Sequence, residues 1–194
     1  MKYFIDTEFI EDGSTIDLIS IGIVCEDGRE YYAQSSEFNA SKASNWVQEN
    51  VFPHLNYCPY MAVDDDSIAV QLFNHDEGHC FPSQYHPSCP WRKRVWLADE
   101  VREFMKPLKY GTPELWGYYS AYDHVALCQL FGTMMNLPQG FPMYTNDLMQ
   151  LKHALGLDGV IIPTINNAHN ALADARWNKQ TWEFLHSHPK EKNA

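Results

Sequence analysis

Basic residues are scarce in this chain: Lys and Arg total 14 against 25 Asp and Glu, giving a formal net charge of -11 and a pI near 5.1. So acidic a surface does not hold a phosphate backbone by bulk electrostatics, and any nucleic-acid role has to be local. Long apolar runs are missing too. None approaches the roughly 20 residues that span a bilayer, and the apolar start Met1-Lys2-Tyr3-Phe4-Ile5 is cut by Asp6, Glu8 and Glu11 before a signal-peptide core can form. We therefore expect no membrane partner and a cytoplasmic location. Cysteines are five, an odd number, and Cys25 and Cys128 fall in apolar periodic segments where a buried free thiol is the ordinary state. A disulfide scaffold is not expected. Internal repeats and low-complexity tracts are also lacking.

What is present is a globular composition. The 194 residues are 45% hydrophobic and 20% charged, enough for one domain that buries roughly 70% of its unfolded surface. Residues 2–6 read as a short buried strand and 15–25 as a longer one, apolar on both alternating faces as under covering helices. Asp27-Gly28 signals a hairpin that returns through Glu30-Tyr31-Tyr32-Ala33. A helix is predicted from about Ser41 to Val51, ended by Pro53. From about 56 to 90 no period lasts, and this stretch reads as an irregular insertion. Leu97, Val101, Phe104, Met105 and Leu108 then keep helical spacing from Arg94 to just past Pro107. Glu114–Tyr118 suits a buried strand. Ser120 offers an N-cap for a central helix carrying Val125 to Met134, a short helix covers Leu148–Leu155, and a last one runs from about Asn170 to His186. Strands first and strand-helix units afterwards indicate an α/β fold, a mixed sheet flanked by helices, over residues 1–187, with 188–194 a polar C-terminal tail.

Chemistry concentrates at three places. Asp6-Thr7-Glu8 closes the first strand, and residues two apart on a strand share a face, so two carboxylates converge. Two acids can simply sit at a solvated strand end; in an apolar setting their repulsion calls for a divalent cation, and hard oxygen ligands suit magnesium or manganese. Asp123 lies at the start of the central helix, where capping alone would explain an acid. His169 stands five residues before Asp174. Five residues on a regular helix turn about 140° beyond a full circle, so the two meet only if His169 sits on the incoming loop, which Asn166 and Asn167 favour. A histidine that can swing while the aspartate stays fixed on a helix fits a general base next to a metal ligand.

Asp6-x-Glu8, then Asp123 in Tyr122-Asp123-His124-Val125-Ala126-Leu127, then His169-x-x-x-x-Asp174, in that order along the chain, resemble the three motifs of the DEDDh 3'-5' exonuclease family. The text Tyr3-Phe4-Ile5-Asp6-Thr7-Glu8-Phe9-Ile10, Leu18-Ile19-Ser20-Ile21-Gly22 and Ala121 to Cys128 resembles its mycobacterial-type, polyadenylate-specific exoribonuclease branch. The likeness covers residues 1–55 and 91–185. It implies a ribonuclease H-like fold with a five-stranded mixed sheet, a homodimer, and an active site holding two Mg2+ or Mn2+ ions. By the same resemblance Asp6, Glu8, Asp123 and Asp174 are the metal-binding carboxylates and His169 the general base, and the substrate is the 3' end of single-stranded RNA. Phe9 and Tyr122 are candidates to stack on the terminal base, or else ordinary core aromatics.

The segment 56–90 departs from the family. Cys58, His75, His79, Cys80, His86 and Cys89 fall in it, and although His75 and His79 are one helical turn apart the spacing matches no zinc signature. We read it as a solvated loop. Two other readings stay open: a DNA exonuclease of the same family, since site chemistry barely differs between the sugars, and a non-catalytic nucleic-acid binding module, which would tolerate lost carboxylates where all five positions are filled here.

Overall fold

The computed structural model describes residues 1–56, 89–165 and 168–188. Strands β1 (Lys2–Glu11), β2 (Ile16–Cys25) and β3 (Glu30–Ser35) form an antiparallel meander. Helix α1 (Asn45–Asn50) follows, then β4 (Trp91–Arg92), α2 (Arg94–Met105), the single turn α3 (Pro107–Tyr110), β5 (Glu114–Gly117), α4 (Ala121–Leu130), β6 (Asn146–Asp147), α5 (Leu148–Ala154) and α6 (Ala171–Ser187). The sheet order is β4-β3-β2-β1-β5-β6, with β4, β5 and β6 joined to their neighbours in parallel.

The mixed α/β sheet flanked by helices is the one expected, but among the described residues it has six strands rather than five. The difference lies in β4 and β6, two residues each, too short to carry an alternation. β1 also runs on to Glu11, well past the acids at which an apolar strand seemed to end, because β2 supplies backbone partners along its whole length.

Alternation along β1 divides the molecule. Tyr3 and Ile5 face one layer, where Leu97, Val101 and Met105 of α2 and Ala126 and Leu127 of α4 close the main core. Phe4 faces the other, against Ala175 and Trp182 of α6. The same parity sends Asp6 and Glu8 toward α6 and Thr7 toward α4. A third cluster joins Ile10, Ile19 and Phe38 to Val47 and Val51 beside Trp91.

Several boundaries moved for local reasons. The helix expected over 41–51 is a turn at Ala40–Lys42 and then α1, because the Ser44 side chain accepts the Val47 N–H and starts a new helix. Pro107 ends α2 at Met105, so Leu108 is 97% exposed instead of continuing the core stripe. Helix α4 is not wholly central, since Tyr122 and Val125 point outward. Cys25 and Cys128 are buried free thiols, whereas Cys89 is disulfide-bonded. The remaining Cys and His residues weighed as a zinc site lie outside the described residues. Among the described residues no helix is long and apolar enough to cross a membrane.

Candidate active site

The carboxylates of Asp6, Glu8 and Asp174 each place an oxygen within 4.8 Å of the other two. β1 brings the first pair on one face, and α6 brings the third. A change of register after Glu8, where Phe9 pairs with Leu18, twists the strand just beyond the acids. Asp174 sits in the first turn of α6, where its Oδ2 also accepts the Asn170 N–H at 3.0 Å while the Asn170 side chain caps Ala173 N. This reciprocal cap pins the carboxylate to the helix start.

One close approach makes the trio possible. Gly22 stands opposite Asp6 on β2, and a Cβ there would lie 2.2 Å from the carbonyl oxygen of Ala171, the first residue of α6. Only glycine lets the helix start touch the sheet. Gly22→Ala is expected to push α6 outward and lower activity by at least about 10²-fold, the cost of misplacing a catalytic group by an ångström or so. Circular dichroism and kinetics on the purified variant check this, with helix content retained.

Asp123 stands apart from the trio and is held from the other layer. Its Oδ1 accepts the Thr7 N–H at 2.8 Å and the Thr7 hydroxyl at 2.6 Å, and the residue is only 6% exposed. Thr7, unremarked in the sequence between two acids, thus orients the fourth carboxylate. Thr7→Val keeps the shape and removes the hydroxyl bond; a loss of about 1.5–3 kcal/mol in that interaction with a charged group should appear as weaker cation binding in calorimetry.

The electrostatics of the group are unfavourable as it stands. Burial, then the charges of Asp123, Glu8 and Asp174, raise the Asp6 pKa well above the ordinary range. Burial and the charges of Asp174 and Asp123 bring Glu8 to about 8. Asp123 rises to about 6, chiefly by burial, against the pull of the Thr7 hydrogen bonds. Asp174 is raised by burial and eased down by His169, the Asn170 N–H and His54. Among the described residues no Lys or Arg forms an ion pair with any of the four. A cluster of hard oxygen donors without a Lys or Arg counter-charge among the described residues fits divalent cations.

His169 lies on the loop entering α6, as the five-residue spacing required, with a left-handed φ of 68°. Such a conformation costs a non-glycine residue energy and persists only where the surroundings impose it. Trp46 of α1 packs edge-on against the imidazole, with ring centroids 4.8 Å apart and planes at 82°. The His54 carbonyl accepts the Asn170 side-chain N–H at 3.3 Å, tying the same loop to the turn after α1. The helix predicted over 41–51 carried no sign that this segment reaches the site. Phe9 and Tyr122 do meet, edge to face at 5.7 Å, and the Tyr122 hydroxyl bonds Glu11 at 3.2 Å.

Residues 67–186 match the family model described as the 3'-5' exoribonuclease Rv2179c-like domain. The chain belongs to this Rv2179c-like family. It is 42% identical over 176 residues, 91% of this chain and 88% of the relative, to the 3'-5' exoribonuclease Rv2179c of Mycobacterium tuberculosis strain H37Rv. The 3'-5' exoribonuclease MT2234.1 of strain CDC 1551 is similar to the same extent. The Rv2179c-like match begins inside the segment read as an insertion and takes in Asp123, His169 and Asp174, while Asp6 and Glu8 precede it.

Proposed function

We propose that this chain is a 3'-5' exoribonuclease that releases nucleoside monophosphates from the 3' end of single-stranded RNA by metal-dependent hydrolysis. The observation that carries the reading is the convergence of Asp6, Glu8 and Asp174 within 4.8 Å, without a Lys or Arg ion pair among the described residues, in a chain similar to proteins named 3'-5' exoribonucleases. Residues 1–187 are taken as one exonuclease domain, and by the family resemblance the chain is taken to pair as a homodimer.

In this reading Asp6, Glu8, Asp123 and Asp174 hold two Mg2+ or Mn2+ ions. Bound cations of this kind lower the pKa of water and offset charge on the leaving 3'-oxygen. His169 accepts the proton of the attacking water at an imidazole nitrogen. Its left-handed backbone and the Trp46 edge limit where that nitrogen can stand, so the base is oriented before substrate arrives. Thr7 fixes Asp123 through two hydrogen bonds. Phe9 and Tyr122 supply an aromatic wall, of which Tyr122 is 46% exposed, suited to stacking on the terminal base. Once its carboxylates are neutralised by cations the cleft no longer repels a phosphate backbone.

The test incubates the protein with end-labelled RNA and DNA strands, with free or blocked 3' ends, in Mg2+, Mn2+ or EDTA. A ladder shortening from a free 3' end of RNA is the expected result. Cleavage of DNA alone would favour the DNA exonuclease reading, and binding with no products would favour a non-catalytic module.

A further inference from the structure

Besides His169, one described residue other than glycine has a left-handed φ: Tyr119, at 52°. A bulky side chain is rare in this conformation, where glycine would sit without strain. The surroundings impose it. Asp147 Oδ2 accepts the Ser120 N–H at 3.0 Å, and Ala121 N–H closes back on the Tyr119 carbonyl at 2.9 Å. The strained residue is then left 65% exposed, so its side chain contributes little to the core that holds it in place.

Tyr119 lines a pocket of about 540 Å³ together with Ala121, Asp147, Met149, Gln150 and His153. The volume falls in the range of small-molecule sites, but the pocket is a shallow depression open to solvent rather than an enclosed cavity. β5 runs parallel to β1 with Phe4 opposite Trp116, so the chain leaving β5 emerges level with Asp6, and the lining residues that follow β5 and β6 stand at that end of the strands. An aromatic run joins the two: Tyr119 packs on Tyr118 with centroids at 4.4 Å, and Tyr118 meets Trp177 at 5.0 Å, one turn after Asp174 on α6.

The lining indicates what part of a nucleic acid fits. Its carboxylate, Asp147, is engaged by Ser120, Met149 and Gln150 N–H groups, and His153 pairs with Asp158. Among the described residues no Lys or Arg lines the pocket. It therefore lacks what a phosphate requires and has what a base requires: an aromatic face, a methionine and an amide edge.

We propose that this pocket binds the base of a nucleotide upstream of the one being removed, stacked on Tyr119, and so holds the strand between successive cleavages. The proposal rests on the exoribonuclease reading.

The test compares the wild type with Tyr119→Gly, which removes the ring and relieves the backbone, and Tyr119→Phe, which keeps the ring. In Mn2+, Tyr119→Gly should raise KM for an RNA oligonucleotide by about 10-fold with kcat unchanged, as expected for one lost base stack, and Tyr119→Phe should restore it. Abasic ribose placed at each upstream position in turn should weaken the wild type at one position and add nothing to Tyr119→Gly there. In Mn2+ on a His169→Gly background, where turnover is slow, fluorescence anisotropy with the same labelled RNA should show the same loss of affinity, and thermal melting should show Tyr119→Gly at least as stable as the wild type. An unchanged KM and affinity would overturn the proposal, as would a loss equal at every abasic position. A change of oligomeric state in light scattering with RNA affinity unchanged would overturn it too, assigning the pocket to a contact between copies. Wild-type protein that binds RNA through Tyr119 without shortening it would instead defeat the exoribonuclease reading and leave the pocket standing.

Discussion

Asp6→Asn and Asp174→Asn should each abolish RNA hydrolysis while making the metal-free protein more stable at neutral to alkaline pH. The two effects have one source. The carboxylates are crowded and partly buried, so their protonated forms are favoured in the fold, with Glu8 at about 8 and Asp123 at about 6. A carboxyl raised in the folded state contributes stability fully at pH below its unfolded value, and this is lost as pH climbs to the folded value. Between roughly pH 4 and 8 the unfolded chain has released protons that the fold still holds, and the metal-free wild type should therefore melt progressively lower. Removing one charge reduces that loss. Cations reverse it by binding the ionised form: Mn2+ should raise the wild-type melting temperature and bind more tightly as pH rises toward 8, releasing protons. The Asn variants should show little of either effect. Losing a cation that stabilises the transition state by several kcal/mol corresponds to a rate loss on the order of 10³-fold or more. Melting curves across pH with EDTA or Mn2+, paired with product ladders, check both halves. Undiminished cleavage in EDTA, or an Asn variant that binds Mn2+ as the wild type does, would remove the metal mechanism.

The second large effect should separate the base from the ligands. His169→Gly is the cleaner variant, because at φ 68° glycine fits the loop without strain. Turnover should fall by about 10²–10⁴-fold, with Mn2+ binding by calorimetry and KM close to the wild type. Asp174→Ala should lose both cation binding and turnover. If His169→Gly kept near-wild-type turnover, or lost Mn2+ as completely as Asp174→Ala, the general-base role would be withdrawn.

Strand periodicity and helix geometry carried much of the site in one dimension. Asp6 and Glu8 share a face because alternation along a strand is local, and His169 had to precede the helix because five residues cannot share a face of it. Core positions such as Leu97, Val101 and Met105 were legible from spacing alone, and all three are fully buried. By itself the sequence determined which carboxylates and which histidine are the candidates for the chemistry, the order in which they enter, and the layers of the α/β fold. The tertiary structure decided the rest, because those features depend on distances between segments far apart along the chain. Gly22 looks like any strand glycine until Ala171 lands on it. Thr7 becomes a tether only when α4 brings Asp123 over the sheet, and Trp46 and His54 reach the His169 loop only because α1 folds back across the end of the meander. β4 and β6 exist through pairing with β3 and β5, since two residues carry no period of their own. The conformation of Tyr119 has the same origin: nothing in its neighbours' identity forces a left-handed backbone, and it is Asp147, 28 residues downstream in the chain, that holds the turn in place.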